Sequence, residues 1–202
     1  IPTSTLEEIA ASGAGSKELY CRWYGQAPPS QREFLELIKQ AELDPLFSRL
    51  CELAKARNDE VAIVSDGFDA YIKPILKETD IRKIPVYSNG MDFSSELELS
   101  FPHNNPACRF CGVCKAAIAT LYLREGYYVV YVGDGVSDRF PIHVAHKVFA
   151  KDALIDICGE EKVAFTEFSS FQDIIDWYND EPLEQGKLSD LHAKCSSLED
   201  GP

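Results

Sequence analysis

The chain has 202 residues, 45% hydrophobic and 26% charged, the make-up of an ordinary globular protein large enough to bury a core in one domain. Acidic residues outnumber basic ones by 33 to 20, and the formal charge of −13 argues against nucleic acid or an anionic membrane as partner. No apolar run approaches the ~20 residues of a membrane-spanning helix, and seven cysteines, an odd number in a chain that needs no staples, point to a reducing intracellular compartment, cytoplasm or an organelle matrix or stroma.

The amino-terminal stretch is rich in Ser, Thr, Ala and Gly, with a short helical pattern around Leu6–Ala11. An aromatic cluster at 17–26 is broken by Pro28-Pro29. Ser30-Gln31-Arg32-Glu33 is a capping-box pattern, followed by Phe34, Leu35, Leu37 and Ile38 at helical spacing. Asp44-Pro45 starts a second helix, with proline at its first position and an apolar face of Leu46, Phe47, Leu50 and Leu53. Residues 1–58 therefore read as a helical segment.

From residue 59 the pattern changes to strands alternating with helices. Val61–Val64 reads as a strand, Ser65-Asp66-Gly67 as a turn and Phe68–Leu76 as a helix; Ile84–Tyr87 is a second strand and Leu97–Phe101 an exposed hairpin arm. A helix over Lys115–Arg124 leads to Tyr127–Gly133, which reads as a strand buried on both faces. Shorter strands follow at Lys147–Ala150 and Val163–Phe168, and Ser170 caps a helix through Tyr178. This alternation implies an α/β fold with a doubly wound parallel sheet over 59–180, and a polar acidic tail over 181–202.

Three segments carry chemistry. Gly133-Asp134-Gly135 ends the apolar strand in a tight turn, and Asp138 follows four residues later. Two carboxylates at the mouth of a parallel sheet, with no base between them, suggest a hard divalent cation held by oxygen. The plainer reading is a βα turn with Asp138 capping or solvating what comes next. Ser65, with Asp66, Gly67 and the turn amides, is placed to hold an anion such as phosphate, or else to cap the following helix. Lys115 opens a helix, where it can neutralise a phosphoryl oxygen or simply face solvent. Jointly, serine, lysine and paired acids form a phosphate-plus-magnesium constellation. Cys108-x₂-Cys111-x₂-Cys114 has the spacing of a zinc or iron–sulfur site, against reduced cysteines lining a loop. Trp23 and Tyr24 are candidates for a pocket wall or for core, and His143 and His146 for metal or for solvent.

On IVSDGF at 63–68, Lys115 and GDGVSD at 133–138, the chain resembles the haloacid dehalogenase-like superfamily of phosphatases. More narrowly it looks like the branch containing phosphoserine phosphatase and the diketo-methylthio-phosphopentane phosphatases, with support from Ser88-Asn89-Gly90, Pro102-His103, the Cys-rich approach to Lys115 and Phe149-Ala150-Lys151-Asp152. The resemblance implies a Rossmann-like core with a partial helical cap at 1–58. It implies Mg²⁺ on Asp134 and Asp138, with Asp138 as second ligand or supporting partner. It also implies a phosphoryl group held by Ser65 and Lys115, and a small phosphorylated metabolite as substrate. The family's first motif, an apolar strand ending in Asp-x-Asp, is a departure: nowhere in these 202 residues does a single residue separate two aspartates. Two expectations follow. Either the nucleophile lies before Ile1 in a longer protein, or the chain is a catalytically inactive relative serving as a binding or structural subunit. In the second case residues 1–12, a rearranged sheet or a protein partner's strand would complete the sheet beside 127–133.

Overall fold

The computed structural model describes residues 15–180 except 27, 42, 78–80, 82–83, 95 and 109. The helix expected around Leu6–Ala11, Cys195 and the tail over 181–202 lie outside the described residues. The chain divides into two compact units, Ile1–Cys114 and Lys115–Pro202, each described by itself.

Among the described residues, the first unit opens on three helices, α1 (Ser16–Gln26), α2 (Gln31–Ile38) and α3 (Pro45–Ala56). The capping box opens α2 as expected: Ser30 Oγ accepts from the Glu33 amide at 3.2 Å, and the Glu33 carboxylate accepts from the Ser30 amide at 3.1 Å. Asp44 caps α3 by accepting from the Leu46 amide at 2.9 Å, with Pro45 where no amide is needed. Strand β1 (Ile63–Phe68) runs into helix α4 (Asp69–Lys77), and β2 (Val86–Asp92) turns back into β3 (Glu98–Ser100). β1 and β2 pair in parallel, β2 and β3 antiparallel, so the hairpin arm forms as expected. Both parallel strands are displaced from expectation, starting two residues later, at Ile63 and Val86, and ending later as well. Ser65-Asp66-Gly67 lies inside β1, with a register irregularity between Val64 and Phe68, and β2 extends through Ser88, Asn89 and Gly90. Both extensions have one cause: the buried Asn89 amide donates to the Asp66 carbonyl and holds two polar segments extended side by side.

The core of this unit gathers Phe34, Phe68 and Met91, with Tyr20, Tyr24, Ile38, Tyr71 and Phe93 against them. Tyr20 and Tyr24 meet the Phe68 ring edge-on at 5.0 and 5.6 Å, and Trp23 stacks on Tyr24 at 5.1 Å. Tyr20 and Tyr24 are thus half-buried against the core.

The second unit holds α5 (Lys115–Arg124), β4 (Val130–Gly133), two 3₁₀ turns (Val136–Asp138 and Pro141–His143), β5 (Lys147–Ala150), α6 (Ala153–Glu161), β6 (Thr166–Glu167) and α7 (Phe171–Asp180). Its strands are all parallel, in the order β4-β5-β6. In the middle sits β5, whose Val148, Phe149 and Ala150 are buried, whereas all four β4 residues are half-buried. Ile142, Val148, Ala150, Leu154, Ile157 and Cys158 form the core, with Tyr131, Val163 and Phe165 packed on it. Strands separated by helices, joined in parallel, are the α/β architecture read from the alternation.

β4 starts three residues later than the apolar run suggests, because His146 takes the ladder's place at Val129. The His146 amide donates to the Val129 carbonyl at 2.9 Å, and its ring Nδ1 accepts from the Val129 amide at 3.0 Å. This fixes the neutral tautomer with hydrogen on Nε2, and burial holds the ring's pKa below its usual value. Protonation at Nδ1 would set a donor against a donor. An unfolded histidine titrates near pH ~6.5, so the folded state binds fewer protons below that point and loses stability as pH falls through it. We expect the denaturant midpoint to drop between pH 7.5 and 5.5, and to drop less in His146→Gln, whose amide oxygen keeps the acceptor.

Candidate active site

In the second unit the site is built on the turn that follows β4. Asp134 leaves the strand with its main chain tied at both ends: its amide donates to Asp138 Oδ2 at 3.0 Å and its carbonyl accepts from the Leu154 amide at 3.2 Å. The 3₁₀ turn then folds Asp138 back beneath the strand end. Its Oδ2 also accepts from the Gly135 amide at 3.0 Å, while Oδ1 accepts from Lys115 Nζ and from the Tyr131 hydroxyl, both at 2.6 Å. Gly133 makes room for this, since a Cβ there would lie 2.7 Å from the Asp138 carboxylate. The residue beyond is anchored too: Glu161, at the end of α6, takes both Arg139 and His143, which keeps its carboxyl below the usual range.

Asp138 is only 2% exposed, a costly place for a charge. Burial pushes its pKa up, but the Lys115 ammonium, with the Tyr131 and backbone hydrogen bonds, outweighs burial and holds the carboxyl below its usual value. The pair is therefore ionised and tightly held, and the Lys115 side chain is itself only 10% exposed. Lys115 donates a second hydrogen to Ser137 Oγ at 2.8 Å. An ammonium has three donors, so one remains for a ligand. The Asp134 carboxylate is exposed and has no partner among the described residues. An open carboxylate on a rigid main chain fits a Mg²⁺ ion that keeps most of its waters. Asp138 fits such an ion poorly as a direct ligand, because each of its oxygens already accepts two hydrogen bonds.

In the first unit, Ser65 Oγ accepts from the Gly67 amide at 3.0 Å, which leaves the hydroxyl hydrogen free but occupies the amide expected to face an anion. Helix α4 begins at Asp69, so Ser65 is not its cap. Asp66 is buried and points at the Cys-rich turn, its Oδ1 accepting from the Val113 amide at 2.8 Å. The neighbouring amides are also taken, Gly112 by Ser16 Oγ at 2.9 Å and Cys114 by the His103 carbonyl at 2.8 Å. Three consecutive amides of this turn thus answer to three separate segments.

Lys115 and Asp138 are brought together and Asp134 shares their turn; Ser65, Asp66 and Gly67 belong to the other unit. Cys108, Cys111 and Cys114 are not in disulfides, and among the described residues no three of His, Cys, Asp and Glu form a metal-holding group. The turn is fixed through its backbone amides. His143 and His146 are engaged by Glu161 and Val129. Sequence reasoning missed Tyr131 and Ser137. A tyrosine hydroxyl inside an apolar strand, which needs a partner when buried, was the available signal for the first.

Residues 6–139 match the haloacid dehalogenase-like hydrolase family. The chain is 37% identical over 154 residues to a 2-hydroxy-3-keto-5-methylthiopentenyl-1-phosphate phosphatase of Exiguobacterium sibiricum, covering 73% of this chain and 70% of the relative. A Bacillus mycoides protein of the same name is 34% identical over 143 residues, and the match spans 69% of this chain and 64% of that one. Among solved structures, phosphoserine phosphatase from T. onnurineus shares the fold, with a TM-score of 0.62 at 14% identity over 86% of this chain and 78% of that chain. With the lysine–aspartate pair beneath a Gly-Asp-Gly strand end and this match over two thirds of its length, the chain belongs to the haloacid dehalogenase-like hydrolases.

Proposed function

We propose that this chain holds the phosphoryl group and the metal in a Mg²⁺-dependent phosphomonoesterase acting on a small phosphorylated metabolite. The observation that carries the reading is Lys115: a nearly buried ammonium, pinned by two acceptors, with one donor left over. Phosphoryl transfer asks little covalent chemistry of a protein and much positioning and charge. Lys115 would offset charge on the transferring oxygens, and the Ser65 hydroxyl would donate to one of them. Asp134 would hold Mg²⁺, and Asp138 would hold Lys115 in place. When bound, Mg²⁺ supplies further positive charge to the phosphoryl oxygens. The name of these relatives supports a phosphorylated keto compound as the first substrate to try. Residues 1–58 would act as the cap that encloses it.

The test is phosphate release by the complete protein, nucleophile motif included, with Mg²⁺ and with chelator. Release that needs the metal and disappears in Asp134→Asn is the expected result; unchanged turnover in that variant overturns the assignment. The absence of an Asp-x-Asp pair favours a second reading, a catalytically inactive relative that serves as a binding or structural subunit whose sheet a protein partner completes. Retained Mg²⁺ and phosphate binding with no release under any condition would support it.

A further inference from the structure

We infer that Tyr131 is a positioning residue for Lys115, acting through the carboxylate that both of them touch; this rests on the role given to Lys115 above. Tyr131 sits on β4 with its ring against the core of the second unit, between Val130 and Val132. What it adds is a hydroxyl, 2.6 Å from Asp138 Oδ1, the oxygen that also accepts from Lys115 at 2.6 Å. Each carboxylate oxygen offers two lone-pair directions. On Oδ2 the amides of Asp134 and Gly135 occupy both. On Oδ1 the tyrosine occupies one, so the ammonium has a single direction left. With Ser137 Oγ as its second acceptor, Lys115 is held at two corners of a tetrahedron and its third hydrogen is aimed.

Without the tyrosine hydroxyl, the ammonium can rotate over the vacated lone pair and leave Ser137. Its charge remains and its aim is lost. The effect should therefore fall on the step in which charge develops, and less on the affinity for a ground-state ligand.

The test is Tyr131→Phe in the full chain, read by the ¹⁵N-lysine ammonium signal of Lys115. A doubly hydrogen-bonded, nearly buried ammonium exchanges its protons slowly enough to be seen in the wild type. We expect about tenfold faster exchange in the variant and, where the protein releases phosphate, a kcat about tenfold lower with KM changed less. Unchanged ammonium exchange in a folded Tyr131→Phe protein overturns the inference and leaves Tyr131 a packing residue. Faster exchange with no release by the complete wild-type protein supports the inference while refuting the phosphatase reading. Should the variant not fold, the wild type decides: a slowly exchanging Tyr131 hydroxyl proton with a nuclear Overhauser contact to the Lys115 ammonium supports the inference, and its absence overturns it.

Discussion

Asp138→Ala is expected to lower the unfolding free energy by about 3–5 kcal/mol, as when one partner of a buried ion pair is removed. The variant leaves the Lys115 ammonium nearly buried with Ser137 as its one acceptor, and strands the Tyr131 hydroxyl and the amides of Asp134 and Gly135. Denaturant titration at pH 7 measures the loss. The pH dependence separates charge from packing. Because the folded carboxyl titrates below its ordinary value of about 3.9, the unfolded chain binds more protons in that window, and stability there rises with pH. The Asp138 contribution is thus full above pH ~4 and disappears as pH falls through the folded pKa. The gap between wild type and Asp138→Ala should accordingly narrow in acid. A gap that stays constant would mean that the carboxylate acts by filling space.

Gly133→Ala is the second large effect, about 1–3 kcal/mol from overpacking. The added methyl would meet Asp138 Cγ and Oδ2 at 2.7 Å, and these atoms cannot swing aside because four donors hold the carboxylate. Either β4 or the 3₁₀ turn must move, and Lys115 moves with the carboxylate. Loss of the Lys115 ammonium signal together with a lowered melting temperature would show the displacement; a wild-type signal and unchanged stability would show that the turn has slack. Gly133 is needed here for its missing side chain.

The sequence made the local elements legible where one residue type has one strong local use. Ser30 with Glu33 and Asp44 with Pro45 both depend on neighbours within four positions. Boundaries set by distant partners were not legible. β1 and β2 run longer than their apolar cores because Asn89 reaches Asp66 across 23 residues, and β4 starts late because His146 reaches back 17. The site shows the same division. Spacing and resemblance singled out Lys115, Asp134 and Asp138 as residues, but not that Asp138 belongs to Lys115 and a tyrosine while Asp134 stands open. That depends on how a 3₁₀ turn folds a carboxylate back under its own strand, which no periodicity encodes.

The turn before Lys115 has a consequence for which substitutions the chain can absorb. Its grip is read through main-chain hydrogens at 112, 113 and 114, and any residue except proline carries one. Side chains matter at two of these positions: a methyl at 112 would lie 2.7 Å from the fully buried Asn89 amide, and Val113 is itself completely enclosed. The turn therefore demands a bare position followed by an apolar one. At 114 the backbone asks only for an amide, so a change of side chain there leaves the turn's hydrogen bond in place for any residue except proline.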